Sequence, residues 1–273
     1  MILGHIDFLN VLPFTLGIEA GKVSPWRIQK GVPAEVNRAL IEKNIQASGI
    51  SSIIYAQHAD TLYILPDLSI RTDAAVTSIL LLSKVPLEKL QGPVALTAKS
   101  ATSHALLKII LKEAYGKMPS FKILPLTPEK PVPEPFEAAL FIGDDALRLY
   151  CHPPEGLYSL DLGAAWRELT GLGMVYSVWA IQQDFADAHP KETKTLVQAL
   201  QTARAYGKQH LSAGIQRIAP QKSFTEAELT AYFQVIQWDL KTEHLAGLRL
   251  FYQKAKKLEL IANVPCLRFV ENL

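Results

Sequence analysis

The sequence predicts an α/β fold of two lobes around a central cleft, with mostly parallel sheets and a helical C-terminal tail. Three observations carry that reading. Short apolar runs alternate with helix-spaced segments through the first half of the chain, and a second block repeats the alternation. From Pro190 onward only helical spacing remains. The 273 residues are 49% hydrophobic, enough to bury one large core or two smaller ones. Two such blocks bind ligands in the cleft between them, near the carboxyl ends of strands.

The first block opens with "MILGHI" as a strand. "VPAEVNRALIEKN" follows as a helix, with Pro33 suited to its first turn and apolar positions at Val36, Ala39, Leu40 and Ile41. "IQASGI" is a short strand leading into "SSIIYAQHA" as a helix, and "TLYILPD" and "VTSILLLSK" are further strands. In the second block "GPVALTA" is a strand and "KSATSHALLKIILKEAYG" its helix. "FKILPL" is a strand, the proline-rich "PEKPVPEPFE" a loop, and "AALFIGDDALRLY" a strand that breaks at Gly143 into a turn or helix. "MVYSVWAIQ" is the last strand. In the tail, Ser223 or Thr225 with Glu226 or Glu228 three residues on fits a capping box.

Composition and spacing exclude several functions. The net charge is +2 without a run of five like charges, which speaks against a nucleic-acid face. The start lacks a basic segment, and Asp7, Asn10 and Pro13 interrupt its apolar residues, so neither an export signal nor a membrane span is expected. The expectation is a cytoplasmic protein. Cys151 and Cys266 form no CxxC, and a reduced pair is expected rather than a disulfide. The seven histidines have no metal-site spacing, and no phosphate-binding glycine loop or GxSxG is present, so no metal is expected.

What remains is a pair of hydroxyl-rich turns between strand and helix. "ASGISSIIYA" holds Ser48, Ser51 and Ser52, and "AKSATSHALL" holds Ser100, Thr102 and Ser103. One hydroxyl caps a helix; more than one at a helix N-terminus suits a carboxylate or phosphate. Two such turns, one in each block, point to an anion in the cleft. Asn10 ends the first strand, where it either serves the turn before Pro13 or faces the cleft. Asp144 and Asp145 end another, with capping the more natural role for Asp145. Ser78 interrupts an apolar strand and needs a partner, backbone or ligand.

In this order the pieces resemble the chorismate dehydratase family of the futalosine route to menaquinone. "IDFLNVLPF" is similar to the family's N-terminal segment, "ISSIIYAQ" to its double serine, "VTSILLLSKVPLE" to its V-x-S-V-x-L-x-S strand and "LTAKSATSHALLKIIL" to its S-x-T-S helix start. "ALFIGDDAL", "DLGAAWRELTGL" and "VWA" follow in register. Gln46 and Gly49 stand where members often carry aspartate and proline. The resemblance covers nearly the whole chain and implies a fold similar to type II periplasmic binding proteins. The chain would cross between lobes near Ser83–Pro86 and Trp179–Gln182, giving one lobe of residues 1–83 plus 182–273 and another of 84–181.

It also implies a reaction: loss of water from chorismate, a small dicarboxylate, to give 3-enolpyruvylbenzoate. Aromatisation drives it, so no cofactor is required. Ser51 and Ser52 on one side and Ser100, Thr102 and Ser103 on the other would bind carboxylates. Asn10 and Ser78 would orient the ring and the leaving hydroxyl, with Gly143 among the substrate contacts. The base is either the substrate's own enolpyruvyl carboxylate or Asp144. The partner is a small molecule, with room for a homodimer and with neither nucleic acid nor membrane. Two other readings stay open: a non-catalytic cytoplasmic binding protein or sensor for a small carboxylate, and the dihydroxynaphthoate synthase of the same pathway.

Overall fold

The computed structural model describes residues 1–270. Strands β1 (Ile2–Ile6), β2 (Arg27–Gly31), β3 (Ala47–Ser51) and β4 (Leu62–Thr72) come first. Then follow β5 (Ile79–Ser83), β6 (Val94–Thr97), β7 (Phe121–Leu124), β8 (Ala138–Ile142) and β9 (Tyr158–Asp161), and finally β10 (Met174–Gln182). They make two five-stranded sheets, in the orders β2-β1-β3-β10-β4 and β7-β6-β8-β5-β9. The two orders are the same plan: second, first, third, crossing strand, fourth.

The crossing strands correct two expectations. Each sheet was expected to be mostly parallel, yet each has two parallel and two antiparallel ladders. The antiparallel ones belong to β10 in one sheet and β5 in the other, because each arrives from the opposite lobe. The expected crossings near residues 83 and 182 also move. The run Ile79–Leu82 pairs with β8 and β9, which puts it in the second sheet, and β10 pairs with β3 and β4 in the first. The chain therefore crosses between Thr72 and Ile79, and returns between Thr170 and Met174.

Helices cover both sheets. Between the first strands lie α1 (Leu12–Glu19), α2 (Pro33–Ile41) and α3 (Ser52–Gln57); α4 (Ala101–Tyr115), α5 (Gly143–Cys151) and α6 (Leu162–Thr170) serve the second sheet. The tail is α7 (Gln183–Ala188), α8 (Pro190–Gln209), α9 (Leu211–Ile218), α10 (Glu226–Val235) and α11 (Leu245–Lys257). Thr225 and Glu228 form the expected capping box of α10. Side-chain alternation explains why "ILLL" is apolar throughout. Leu81 joins the main core, while Leu80 and Leu82 face the other way, onto Phe136, Phe141 and Leu149. Helix α8 lies backbone to backbone on α1: a methyl group on Gly207 would meet the Pro13 carbonyl oxygen at 1.8 Å, and one on Gly17 would meet Ala203 at 2.4 Å. The departure at Gln46 has a local use, since its Oε1 accepts the Ile2 N–H at 2.8 Å. Cys151 and Cys266 are both free thiols.

One carboxylate pins the first crossing. Asp161 caps α6 by accepting the Gly163 and Ala164 N–H groups at 2.8 and 2.9 Å. It also accepts the Val76 N–H at 3.1 Å and the Thr77 N–H at 2.6 Å, from the connecting segment. Asp161→Ala should lower unfolding stability by about 2–4 kcal/mol, because it loses a cap and strands two crossing N–H groups. Urea melts test this, and a loss below about 1 kcal/mol contradicts it.

His5 supplies a pH dependence. It is buried on β1, with Nε2 2.8 Å from Thr15 Oγ1 and Nδ1 unpartnered. Burial, with Lys30 adding, pushes it from the ordinary 6.5 down to about 4. Between those values the unfolded chain binds the proton and the folded one does not. Its contribution is thus complete above pH 6.5 and falls as the pH drops to 4, by up to about 3 kcal/mol. His5→Gln should remove that part of the pH slope in urea melts; an unchanged slope would rule His5 out as its source.

Candidate functional site

A cavity with about 620 Å³ of empty space, counting its mouth, lies between the two sheets. The shared strand order explains its position: the segments leaving β1 and β3 face those leaving β6 and β8. Phe8 and Asn10 follow β1, Ser51 ends β3, Ser100, Thr102 and Ser103 follow β6, and Gly143 follows β8. Val76 and Ser78 line it from the first crossing, and Tyr176 and Ser177 from β10. Among the described residues the lining carries no Asp, Glu, His, Lys or Arg.

What each polar group can offer depends on which of its hydrogen bonds are already made within the protein. Asn10 has the most to offer. Its backbone oxygen accepts the Trp238 indole N–H at 2.7 Å, but its side-chain Oδ1 is buried without a partner. Buried amide oxygens are normally paired, so this one is an open acceptor beside the cavity that Asn10 lines.

Ser51 is held by Asn37 of α2. The Asn37 amide donates to Ser51 Oγ at 3.2 Å, and its Oδ1 accepts the Ser51 N–H at 3.2 Å. Ser51 therefore keeps its own proton for the cavity. Ser52 does not share the site. It is fully buried, its hydroxyl donates to the Val175 oxygen at 2.7 Å, and it does not line the cavity. The expected carboxylate role of Ser52 fails because the pleat and the start of α3 turn its side chain onto β10. Ser177 lines the cavity but donates to the Ile50 oxygen at 2.7 Å.

The second turn behaves as a cap with hydroxyls to spare. Ser100 caps α4, accepting from the Ser103 N–H at 3.3 Å, and the two hydroxyls lie 3.0 Å apart. One proton of that pair stays free. Thr102 reaches across the lobes, accepting the Ile53 N–H of α3 at 3.2 Å, and also retains its proton. Lys99 turns aside to Asp145, 2.5 Å away. His104 faces the Thr97 oxygen at 2.7 Å, and burial holds its pKa below the ordinary value.

Ser78 is fixed on every side. Its N–H donates to the Val76 oxygen at 2.7 Å, its own oxygen accepts the Gly143 N–H at 2.8 Å, and its Oγ accepts from the Tyr232 phenol at 3.3 Å. It stands just before β5 rather than inside it. Gly143 has φ +64°, and a side chain there would press on the Phe8 ring at 3.1 Å. Asp144, expected as a candidate base, does not line the cavity. Its Oδ1 accepts the Leu9 N–H at 3.3 Å and its Oδ2 faces Lys222 at 3.0 Å. The sequence placed it at a strand end, but the first turn of α5 aims it at the opposite lobe. Arg148, one turn on, donates to the Lys222 and Ser223 oxygens and lies over the Phe224 ring. Together these groups clasp α5 to the tail.

Sequence reasoning missed Asn37, Tyr176, Tyr232 and Trp238. Asn37 left a signal, a polar residue beside the apolar positions Val36 and Leu40 of α2. Tyr232 left none, since a tyrosine on an apolar helix face is ordinary core. Tyr176 lines the cavity, and its phenol meets Thr72 Oγ1 at 3.1 Å, beside the crossing.

A family model described as menaquinone biosynthesis matches residues 1–257. The chain is 32% identical over 264 residues to the chorismate dehydratase of Thermus thermophilus, covering 92% of this chain and 93% of that one. It is 30% identical over 188 residues to the chorismate dehydratase of Campylobacter jejuni, covering 67% and 68%. A Candida albicans protein with the generic periplasmic binding protein fold superposes with a TM-score of 0.71 at 10% identity, over 100% of this chain and 98% of that one.

Proposed function

The chain belongs to the menaquinone biosynthesis family, and from that premise we propose that it is a chorismate dehydratase, a hydro-lyase that converts chorismate to 3-enolpyruvylbenzoate and water. The observation that carries the reading to the site is the cavity's set of uncommitted donors. Ser51 offers one from one lobe, beside the unpartnered Asn10 Oδ1 acceptor; the Ser100–Ser103 pair and Thr102 offer them from the other, and Ser78 offers one from the crossing between them. Chorismate has a carboxylate at each end, and hydroxyls on two sides of one cavity suit it. The N-terminus of α4 adds its dipole on one side.

In the reaction a proton leaves the ring carbon bearing the enolpyruvyl ether. Its electrons form the new ring double bond as the hydroxyl on the neighbouring carbon departs. The departing hydroxide takes up a proton and leaves as water, so the atoms balance without a cofactor. The substrate's enolpyruvyl carboxylate is the base. Two observations support this: among the described residues no lining residue carries a carboxylate or an imidazole, and both Asp144 oxygens are engaged elsewhere. The protein supplies position and exclusion of water. Asn10 holds the ring and its leaving group, and Gly143 gives them room beside Phe8. This reading has the enzyme working in the cytoplasm on a small molecule, with room for a homodimer. Among the described residues no helix is long and apolar enough to cross a membrane.

Incubating the protein with chorismate and following 3-enolpyruvylbenzoate by chromatography tests the function. Chorismate bound but never converted would leave a carboxylate sensor in its place. Asn10→Ala should reduce kcat by about 100-fold or more, as loss of a contact that positions the substrate does elsewhere. Wild-type turnover in that variant would remove Asn10 from the site. Asp144→Asn should keep kcat within about five-fold of wild type, whereas loss of a true general base costs about 100- to 10,000-fold.

A further inference from the structure

We propose that Tyr232 is a positioning residue for this reaction: its phenol, buried behind Ser78, donates to Ser78 Oγ and so commits the serine's own proton to the cavity. The proposal rests on the chorismate reading. Tyr232 belongs to α10 of the tail, is 3% exposed, and lines no part of the cavity itself. Its phenol sits 3.3 Å from Ser78 Oγ and has no other partner among the described residues.

A serine hydroxyl has one proton and two lone pairs. Tyr232 fills one lone pair of Ser78. The serine backbone N–H and oxygen are already taken by Val76 and Gly143, so its main chain is held in place. No protein acceptor for the Ser78 proton is present among the described residues, and the cavity is the direction left open. Accepting one hydrogen bond also strengthens the next one donated along the chain. Burial, reinforced by Asp144 nearby, keeps the phenol protonated far above neutral pH, so it donates throughout the working range.

In the elimination this orientation matters at the departing oxygen. As the carbon–oxygen bond breaks, negative charge collects there. A serine proton aimed at it stabilises the charge, and a serine lone pair aimed at it repels it. Ser78 gives a hydrogen bond and keeps its proton. The proton that completes the water is the one taken from the ring carbon.

The test is a double-mutant cycle of Tyr232→Phe and Ser78→Ala, with kcat, KM for chorismate and Tm measured for each protein. Tyr232→Phe keeps the ring and should lower kcat about ten-fold, with KM within about two-fold and Tm within a few degrees. Ser78→Ala should lose about 100-fold, and the double variant should be no slower than Ser78→Ala alone. Phe233→Leu disturbs the same helix without touching Ser78, and should leave kcat within about two-fold. Tyr232→Phe at wild-type kcat overturns the proposal. So does a Tyr232→Phe loss that persists undiminished when Ser78 is already alanine, or a Phe233→Leu variant as slow as Tyr232→Phe. A wild-type protein that converts no chorismate overturns the functional reading, and the proposal with it.

Discussion

The Asp161 carboxylate collects backbone N–H groups from two places in the chain, the first turn of α6 and the segment that crosses between sheets. Four peptide dipoles converge on one charge, and the chain between Thr72 and Ile79 has little freedom left. Ser78 is the last residue of that segment. Its position in the cavity is therefore set by a group that never enters the cavity. The same clip holds the second sheet against the first, because Val76 and Thr77 leave one sheet while Gly163 and Ala164 cover the other. Donors from both sheets can act on one ligand only if the sheets keep their spacing.

Around that fixed point the protein sorts its hydroxyls by where their protons go. Ser52 and Ser177 spend theirs on the β-sheet, bonding carbonyls of neighbouring strands. Ser51 and Ser78 receive a hydrogen bond from behind, from Asn37 and Tyr232, and stay free to give one forward. Thr102 receives one from an α3 N–H and does likewise. Among the described residues the result is a pocket with donors and without charge. Such a lining can hold an anion without providing a competing base, which is what a reaction using its substrate's own carboxylate needs.

Much of this was legible in the sequence because the signals are local. A strand, a turn with several hydroxyls and a helix lie within about ten residues, and both such turns do reach the cavity. Asn10 and Ser78 were visible as polar residues that broke apolar runs. The errors come from contacts over long separations. Ser52 was expected to act with Ser51, but its partner is Val175, on a strand that arrives more than a hundred residues later. Asp144 was expected to face the ligand, but Leu9 and Lys222 claim it from the other lobe. The crossings were misplaced for a related reason. "ILLL" and "MVYSVWAIQ" are apolar enough for either sheet, and only the pairing partner decides which.

Because both sheets follow one strand order, the cavity has four corners, two from each lobe, at the ends of first and third strands. Asn10 and Ser51 occupy the corners of one lobe; the Ser100–Ser103 turn and Gly143 occupy those of the other. Three corners project polar side chains and the fourth projects none. The quasi-symmetric frame thus encloses a lopsided mould. A molecule lying in it is gripped from three sides and finds its slack at Gly143, against the face of Phe8. Direction of fit, head to tail, which a two-fold symmetric vessel could not impose, comes from the one corner left bare.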